Sequence, residues 1–415
     1  MSAHSPFSTV HSPLIPPGYK QTDVGVIPEE WEVSPFSGLF NITAGGDIDP
    51  KRSQSFQDSA HPHPIYSNAL TNSGLYGYCS YADHPANSIT ITARGMVGGA
   101  NYRDRPYTAI GRVLVLQPKS EMAGFYFAEV INNRVKFANE STGVPQLTAP
   151  QISKYHLPVP PPPEQRAIAT ALSDVDALLA GLDRLLAKKR DLKQAAMQQL
   201  LTGQTRLPGF KGKWEVKRLG DVVDTDPENL GSDTHLDLRF NYIALEDVDR
   251  GFLRSHSEQR FISAPSRARR KLRPYDVLVS TVRPNLQSHL LFTGEAGHWV
   301  CSTGFCVVRC RDGVTHPGYV FFHLFAGCVN RQIDALLTGS NYPAINSGDV
   351  RALQIPFPPL PEQTAIAEVL TEMDAELAAL EQRREKTRAL KQAMMQELLT
   401  GKTRLISRGV AEMKP

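Results

Sequence analysis

Apolar residues in this chain follow two kinds of pattern, and the two alternate. At Ile168, Leu172, Val175, Leu179, Leu182 and Leu186 the steps alternate four and three, the spacing of a heptad seam along one helix face. Ile366, Leu370, Met373, Leu377 and Leu380 repeat those steps further on. Around these stretches lie two regions, about residues 20–155 and 208–353, with short β-branched runs broken by Gly, Pro and Asn. Ser88-Ile89-Thr90-Ile91-Thr92, Arg112-Val113-Leu114-Val115-Leu116, Val277-Leu278-Val279-Ser280 and Phe305-Cys306-Val307-Val308 predict strands. Helical pieces are expected near Gly124–Asn133 and Pro317–Leu336.

Both seam helices have marked ends. Each is preceded by prolines, Pro160 to Pro163 in one case and Pro356, Pro358, Pro359 and Pro361 in the other, which fix an extended approach. Glu164-Gln165 and Glu362-Gln363 follow, polar and acidic at the first turn as a helix start prefers. Cations gather late (Lys188, Lys189, Arg190; Arg383, Arg384, Lys386, Arg388), and Leu-Leu-Thr-Gly closes both helices at Gly203 and Gly401. From Glu164 to Leu201 such a helix is about 57 Å long at 1.5 Å per residue. That is a strut rather than a core element.

The two struts are copies at a constant offset, Glu164 matching Glu362 and Gly203 matching Gly401 without a gap. The regions beside them share a frame as well. Ile27-Pro28-Glu29-Glu30-Trp31-Glu32-Val33 parallels Phe210-Lys211-Gly212-Lys213-Trp214-Glu215-Val216, and Thr142-Gly143-Val144-Pro145-Gln146-Leu147 parallels Thr338-Gly339-Ser340-Asn341-Tyr342-Pro343-Ala344-Ile345. Between those phrases the interiors differ. The expected fold class is α+β, with two globular domains alternating with two long helices that pack as an antiparallel coiled coil, a pseudo-two-fold internal repeat. The expected boundaries are a flexible lead at 1–17, a first domain at 18–156, a first spacer helix at 157–207, a second domain at 208–354, a second spacer helix at 355–405 and a tail at 406–415.

Composition narrows the class. A chain of 415 residues has room for two or three domains with real cores. No run of about 18 apolar residues suggests a membrane span, and the Met1-Ser2-Ala3-His4 opening lacks the features of a secretory signal. The five cysteines are odd in number, and Cys301, Cys306 and Cys310 match no common zinc spacing; they read as reduced, packed thiols. His61 and His63 alternate with prolines and are not expected to bind metal. The formal charge of +3 is small, but Arg267, Arg269, Arg270, Lys271 and Arg273 lie within eight residues. That cluster is a phosphate-binding candidate or else a solvated basic loop.

The layout resembles the DNA-specificity subunit of type I restriction–modification systems, over nearly the whole chain from Tyr19 to Gly401. The Pro-Pro-x-Pro-Glu-Gln start and Leu-Leu-Thr-Gly end of both struts carry the resemblance. It implies that each globule is a target-recognition domain and each strut a spacer helix. It further implies that the subunit recruits two modification (methyltransferase) subunits and two restriction (motor-nuclease) subunits to double-stranded DNA in the cytoplasm. S-adenosylmethionine, ATP and Mg²⁺ are then expected on the partners and no cofactor or metal on this chain. Differing globules in one frame predict a bipartite, asymmetric target whose non-specific gap is set by strut length. A specificity subunit of a methylation-only system and a coiled-coil scaffold without DNA recognition are the alternatives.

Several residues are candidates for reading DNA. A strand runs into an arginine turn at Ile91-Thr92-Ala93-Arg94-Gly95 and at Val279-Ser280-Thr281-Val282-Arg283-Pro284-Asn285. Arg94 and Arg283 suit a phosphate or the O6/N7 edge of guanine, or are structural ion-pair partners. Tyr66, Asn68, Asn101, Tyr102, Arg103 and Arg105 in the first domain, and Asn285, Gln287, Asn341 and Tyr342 in the second, offer amide, hydroxyl and cationic groups. Arg267, Arg269, Arg270 and Lys271 are the phosphate candidates. Tyr76, Tyr78 and Tyr81 read as core or hairpin residues.

No catalytic set is legible. Asp226-Pro227-Glu228-Asn229 lacks the second proline and the aromatic of an amino-methyltransferase base pocket, and Gly95-Met96-Val97-Gly98-Gly99 lacks nucleotide-fold spacing. The chain is therefore expected to be non-catalytic by itself. Leu178, Leu185 and Leu192 lie beside the seam and are candidates for docking the modification partner.

Overall fold

The structure is a computed structural model and describes residues 15–138, 143–295, 297–339 and 343–406. It divides into two units, one of residues up to Gly181 and from Arg384 onward, the other Leu182–Arg383.

In the first unit an antiparallel four-stranded sheet runs in the order Phe40–Ala44, Val113–Pro118, Ser88–Thr92, Ala100–Arg103. Every residue of Ser88–Thr92 is buried. That explains a continuous β-branched run where alternation would mark an exposed face. Helix Gly124–Arg134 covers the sheet with Tyr126, Phe127, Val130 and Ile131. A second sheet of Thr108–Ala109, His63–Tyr66, Leu75–Cys79 and Ser53–Gln54 stands beside it. Strand His156–Val159 pairs with Glu32–Pro35 and leads into the first long helix, Pro162–Thr202.

The second unit repeats this plan. Its central sheet is Val223–Thr225, Phe305–Cys310, Val277–Ser280 and Leu290–Leu291, covered by helices Pro317–His323 and Gly327–Leu336. The second sheet runs Ser257–Arg260, Arg239–Ile243, Trp299–Ser302, Ala268–Leu272. Gln354–Phe357 pairs with Glu215–Arg218 and leads into the second long helix, Leu360–Leu398. Among the described residues all five cysteines are unpaired, and Cys79, Cys301 and Cys306 are buried as small hydrophobes.

Each unit joins the first stretch of one long helix to the last stretch of the other, and within each unit the two segments run antiparallel. In the first unit Lys391 donates to Asp176 at 2.8 Å, while Arg404 meets Glu164. In the second Lys189 pairs with Glu376 and Arg206 with Glu362. Ile168, Leu172, Leu182, Leu186, Ile366 and Leu370 are buried, as the heptad spacing anticipates.

One expectation needs correction. The basic run is no solvated loop, because Ala268–Leu272 is the edge strand of its sheet, with a register shift between Ala268 and Arg270. Of the two readings of Tyr76, core or hairpin, the hairpin holds: it belongs to His63–Cys79 and is 62% exposed. It lies on the outward face of a strand whose alternate positions, Gly77 and Cys79, point or pack inward.

Candidate nucleic-acid interface

In the first domain the turn after Ser88–Thr92 is held from two sides. The backbone N–H of Gly95 donates to the Pro145 carbonyl at 2.8 Å, and that of Leu147 to Ala93 at 2.8 Å. The Asn68 side chain clasps the same turn, its Oδ1 accepting from Ala93 N–H at 2.6 Å and Arg94 N–H at 3.2 Å. Its Nδ2 donates to the Arg94 carbonyl at 2.6 Å. Asn68 therefore positions Arg94, and its amide is largely engaged before any base arrives. Arg94, half-buried, lines an open hollow with Asp47, Asn68, Tyr76 and Arg112. Two cations, one acid and an exposed aromatic ring thus share one surface, and the arginines and ring suit phosphate and base.

The other first-domain candidates separate by burial. Arg103 is only 4% exposed, which corrects its reading as a direct contact. Its Nε and Nη2 donate to Thr90 Oγ1 at 2.9 and 2.7 Å, its Nη2 also to the Ser73 carbonyl at 2.7 Å, and its guanidinium stacks 3.4 Å above the Tyr66 ring. Burial lowers its pKa below the usual arginine value. Tyr66 is thus bound to this stack and to Tyr107 edge-on. Tyr102 packs edge-on to Phe125, Asn101 is half-buried on the Ala100–Arg103 strand, and Arg105 is exposed beside Asp104 at 3.2 Å.

In the second domain the turn after Val277–Ser280 is held in the same way. The N–H of Arg283 donates to Pro343 at 2.8 Å, and that of Ile345 to Thr281 at 2.9 Å. Arg283 and Asn285 are exposed and Gln287 half-buried. Both Arg283 and Gln287 take left-handed backbone, at φ 50° and 59°. Outside glycine this costs roughly 1 kcal/mol or more per residue. Asn341 and Tyr342 lie outside the described residues.

The basic cluster is mostly tied down. Arg270 meets Asp226 at 2.7 Å, and Glu228 forms an ion pair with Arg273 at 2.5 Å and accepts from Arg309 at 2.6 Å. Hydrogen bonding from Arg309 holds the Glu228 carboxyl below its usual range. Arg269 lies over the Phe261 ring at 4.9 Å and donates to the Ala268 carbonyl. Arg267 and Lys271 are exposed. The Asp226-Pro227-Glu228-Asn229 phrase thus serves an ion-pair network within the fold.

Tyr76 and Arg112 carry no motif that marks them as contacts; the fold brings them to one exposed hollow. Glu164 and Glu362 lie in the first turns of the long helices, as their position after the prolines predicts. Both are buried, and each accepts from a tryptophan of the shared frame, Trp31 or Trp214, at 3.0 Å. On the first long helix Leu178, Leu185 and Leu192 are 44%, 38% and 47% exposed, one heptad apart on one face.

Among the described residues no three His, Cys, Asp or Glu groups come together as metal ligands, and no helix is long and apolar enough to cross a membrane. The sequence profile described as Type I restriction modification DNA specificity domain matches residues 28–188 and 274–389. The chain is 22% identical over 434 residues to the putative type I restriction enzyme MjaX specificity subunit of Methanocaldococcus jannaschii, covering 93% of this chain and 97% of that one. It is 25% identical over 306 residues to the MjaVIII specificity subunit of the same organism, covering 68% and 70%. The fold is similar to that of a type I restriction-modification system S subunit from M. genitalium, with a TM-score of 0.61 at 13% identity over 89% of this chain and 96% of that one. By the profile match over both globules and strut segments, this chain belongs to the type I restriction modification DNA specificity family.

Proposed function

We propose that the chain reads a bipartite, asymmetric duplex sequence, one half-site per globular domain, and brings methyltransferase and motor-nuclease subunits to it. The observation that carries this reading is one backbone frame presenting different chemistry. The same two hydrogen bonds hold the turn in each domain, yet one displays Arg94 beside Tyr76 and Arg112, the other Arg283, Asn285 and Gln287. A shared frame with divergent surface residues suits two half-sites of different sequence.

The modification subunits, two by resemblance, dock on the Leu178, Leu185 and Leu192 face, where added helices complete a bundle. S-adenosylmethionine, ATP and Mg²⁺ belong to the partners in this reading, and the chain alone transfers and cleaves nothing. Methylation mapping of the host genome with and without this protein tests the proposal. Loss of methylation at one split motif is expected; an unchanged methylation map would refute it. A methylation-only system gives the same map and is recognised by the absence of a motor-nuclease among co-purifying subunits.

A further inference from the structure

Arg283 stands where the first domain has glycine. The N–H of Gly95 donates to Pro145 and the N–H of Arg283 to Pro343, each at 2.8 Å, while Ala93 and Thr281 carry the matching second bond. By this backbone correspondence Arg94 aligns with Val282, not with Arg283. The two arginines of the strand–turn phrases are therefore not counterparts. Gly95 and Arg283 share left-handed backbone, at φ 76° and 50°. Glycine adopts that conformation freely, and a long side chain does not. The frame is served by glycine in one domain, so it does not itself call for arginine in the other.

We infer that Arg283 is a specificity-determining residue of the second half-site, its guanidinium reading a guanine edge. The inference rests on the DNA-reading function proposed above and assigns one base of it. Strain kept at an exposed position is a mark of function. Both backbone polar groups of Arg283 are fixed, the N–H to Pro343 and the carbonyl by Leu286 N–H at 2.9 Å, so the side chain rises from a rigid root. The fork of the guanidinium matches guanine O6 and N7 together. Asn285, exposed in the same turn, and Gln287, also left-handed, flank it with amides. In the first domain Arg94 leaves the chain one residue earlier, so the two domains meet their half-sites by different geometry.

The test uses the full chain co-expressed with its modification subunit, as wild type, R283G and R283K. Each assembly selects from a random-sequence duplex library, and each is melted thermally. R283G should stay folded, since glycine adopts this backbone freely. Its selected motif should lose preference at one G·C pair of one half-site only, by roughly ten- to a hundredfold. R283K should keep more affinity than R283G yet weaken the same preference, because an ammonium is a flexible point charge without the planar fork that fits O6 and N7. A motif unchanged in R283G overturns the inference, as does uniform weakening at every position, the signature of a phosphate contact. Misfolding of R283G also overturns it, since the arginine would then serve the frame. A wild-type assembly that selects no two-part motif overturns instead the function on which the inference rests.

Discussion

Glu164 and Arg404, 240 residues apart in the chain, face each other as a two-pronged ion pair, Nε to Oε1 at 2.5 Å and Nη2 to Oε2 at 2.8 Å. Trp31 Nε1 donates to the same carboxylate at 3.0 Å, and the hydrogen bonds that Arg404 donates to Glu164 raise its own pKa. Arg206, Glu362 and Trp214 make the same arrangement in the other unit. A glutamine at 164 keeps the shape but leaves the partly buried Arg404 guanidinium only Glu30, at 2.9 Å, as counter-charge. E164Q should destabilise the first unit by about 3 kcal/mol, and E362Q the second unit similarly, read as a shift of the urea midpoint. Midpoints unchanged in both variants would show that these pairs contribute nothing.

Burial divides the first-domain arginines into two groups with opposite phenotypes. R103A removes a side chain that bonds Thr90 and Ser73 and stacks on Tyr66, and should lower stability by roughly 2–3 kcal/mol. Y76A and R112A change exposed side chains, so they should alter the selected half-site while leaving the melting temperature within about a degree. Reversal of that pattern would misassign the hollow.

Two buried histidines make the second unit sensitive to acid. Burial lowers the pKa of His289 to about 4 and of His323 to about 3, and His323 packs edge-on to Tyr319, with no partner for either ring nitrogen among the described residues. The neutral form is the folded form, whereas unfolded histidine takes up its proton below about 6.5. Stability is therefore full above pH 6.5 and falls as pH drops toward 4, by up to roughly 2.7 kcal/mol per pH unit for two protons. Urea denaturation at pH 7.5 and 5.0, followed by Trp214 and Trp299 fluorescence, should show the lower midpoint in acid. H323F should reduce the difference; equal midpoints in the wild type would count against the argument.

Charging the exposed leucine face tests docking. L185E with L192E should leave the chain folded, because both side chains already meet water, and should abolish co-purification with the modification subunit. Undiminished co-purification would move the docking surface elsewhere.

The length of the spacer between half-sites should follow the length of the helices. A heptad inserted after Leu179 alone would lengthen one helix only. Each unit contains a segment of both long helices, so a single insertion leaves them unequal in length. Paired insertions after Leu179 and Leu377 keep both seams in phase and add about 10 Å, roughly three base pairs if fully transmitted. The half-site sequences should survive while the preferred gap lengthens. A changed base with an unchanged gap would refute the ruler.

The struts were legible because a 3.5-residue repeat survives in one dimension: burial of Ile168, Leu172, Ile366 and Leu370 follows directly from spacing. The frames were legible because they occur twice. Side-chain roles within the domains were not. Arg103 is buried because Thr90, Ser73 and Tyr66 converge on it from other segments, and nothing near residue 103 announces them. The sequence likeness of the Arg94 and Arg283 phrases hid a one-residue offset that only backbone hydrogen bonds reveal.

The pairing of helix ends has a consequence for synthesis. Residues Leu182–Arg383 form one uninterrupted unit, whereas the other closes only when Arg384 and the residues after it reach Gly181 and those before. On a ribosome adding about 5–20 residues per second, the N-terminal globule waits some 10–40 seconds for its own last helix, with Ile168, Leu172 and Trp31 lacking part of their cover. The part made first is the part completed last, and its exposure to chaperones is written into the order of the chain.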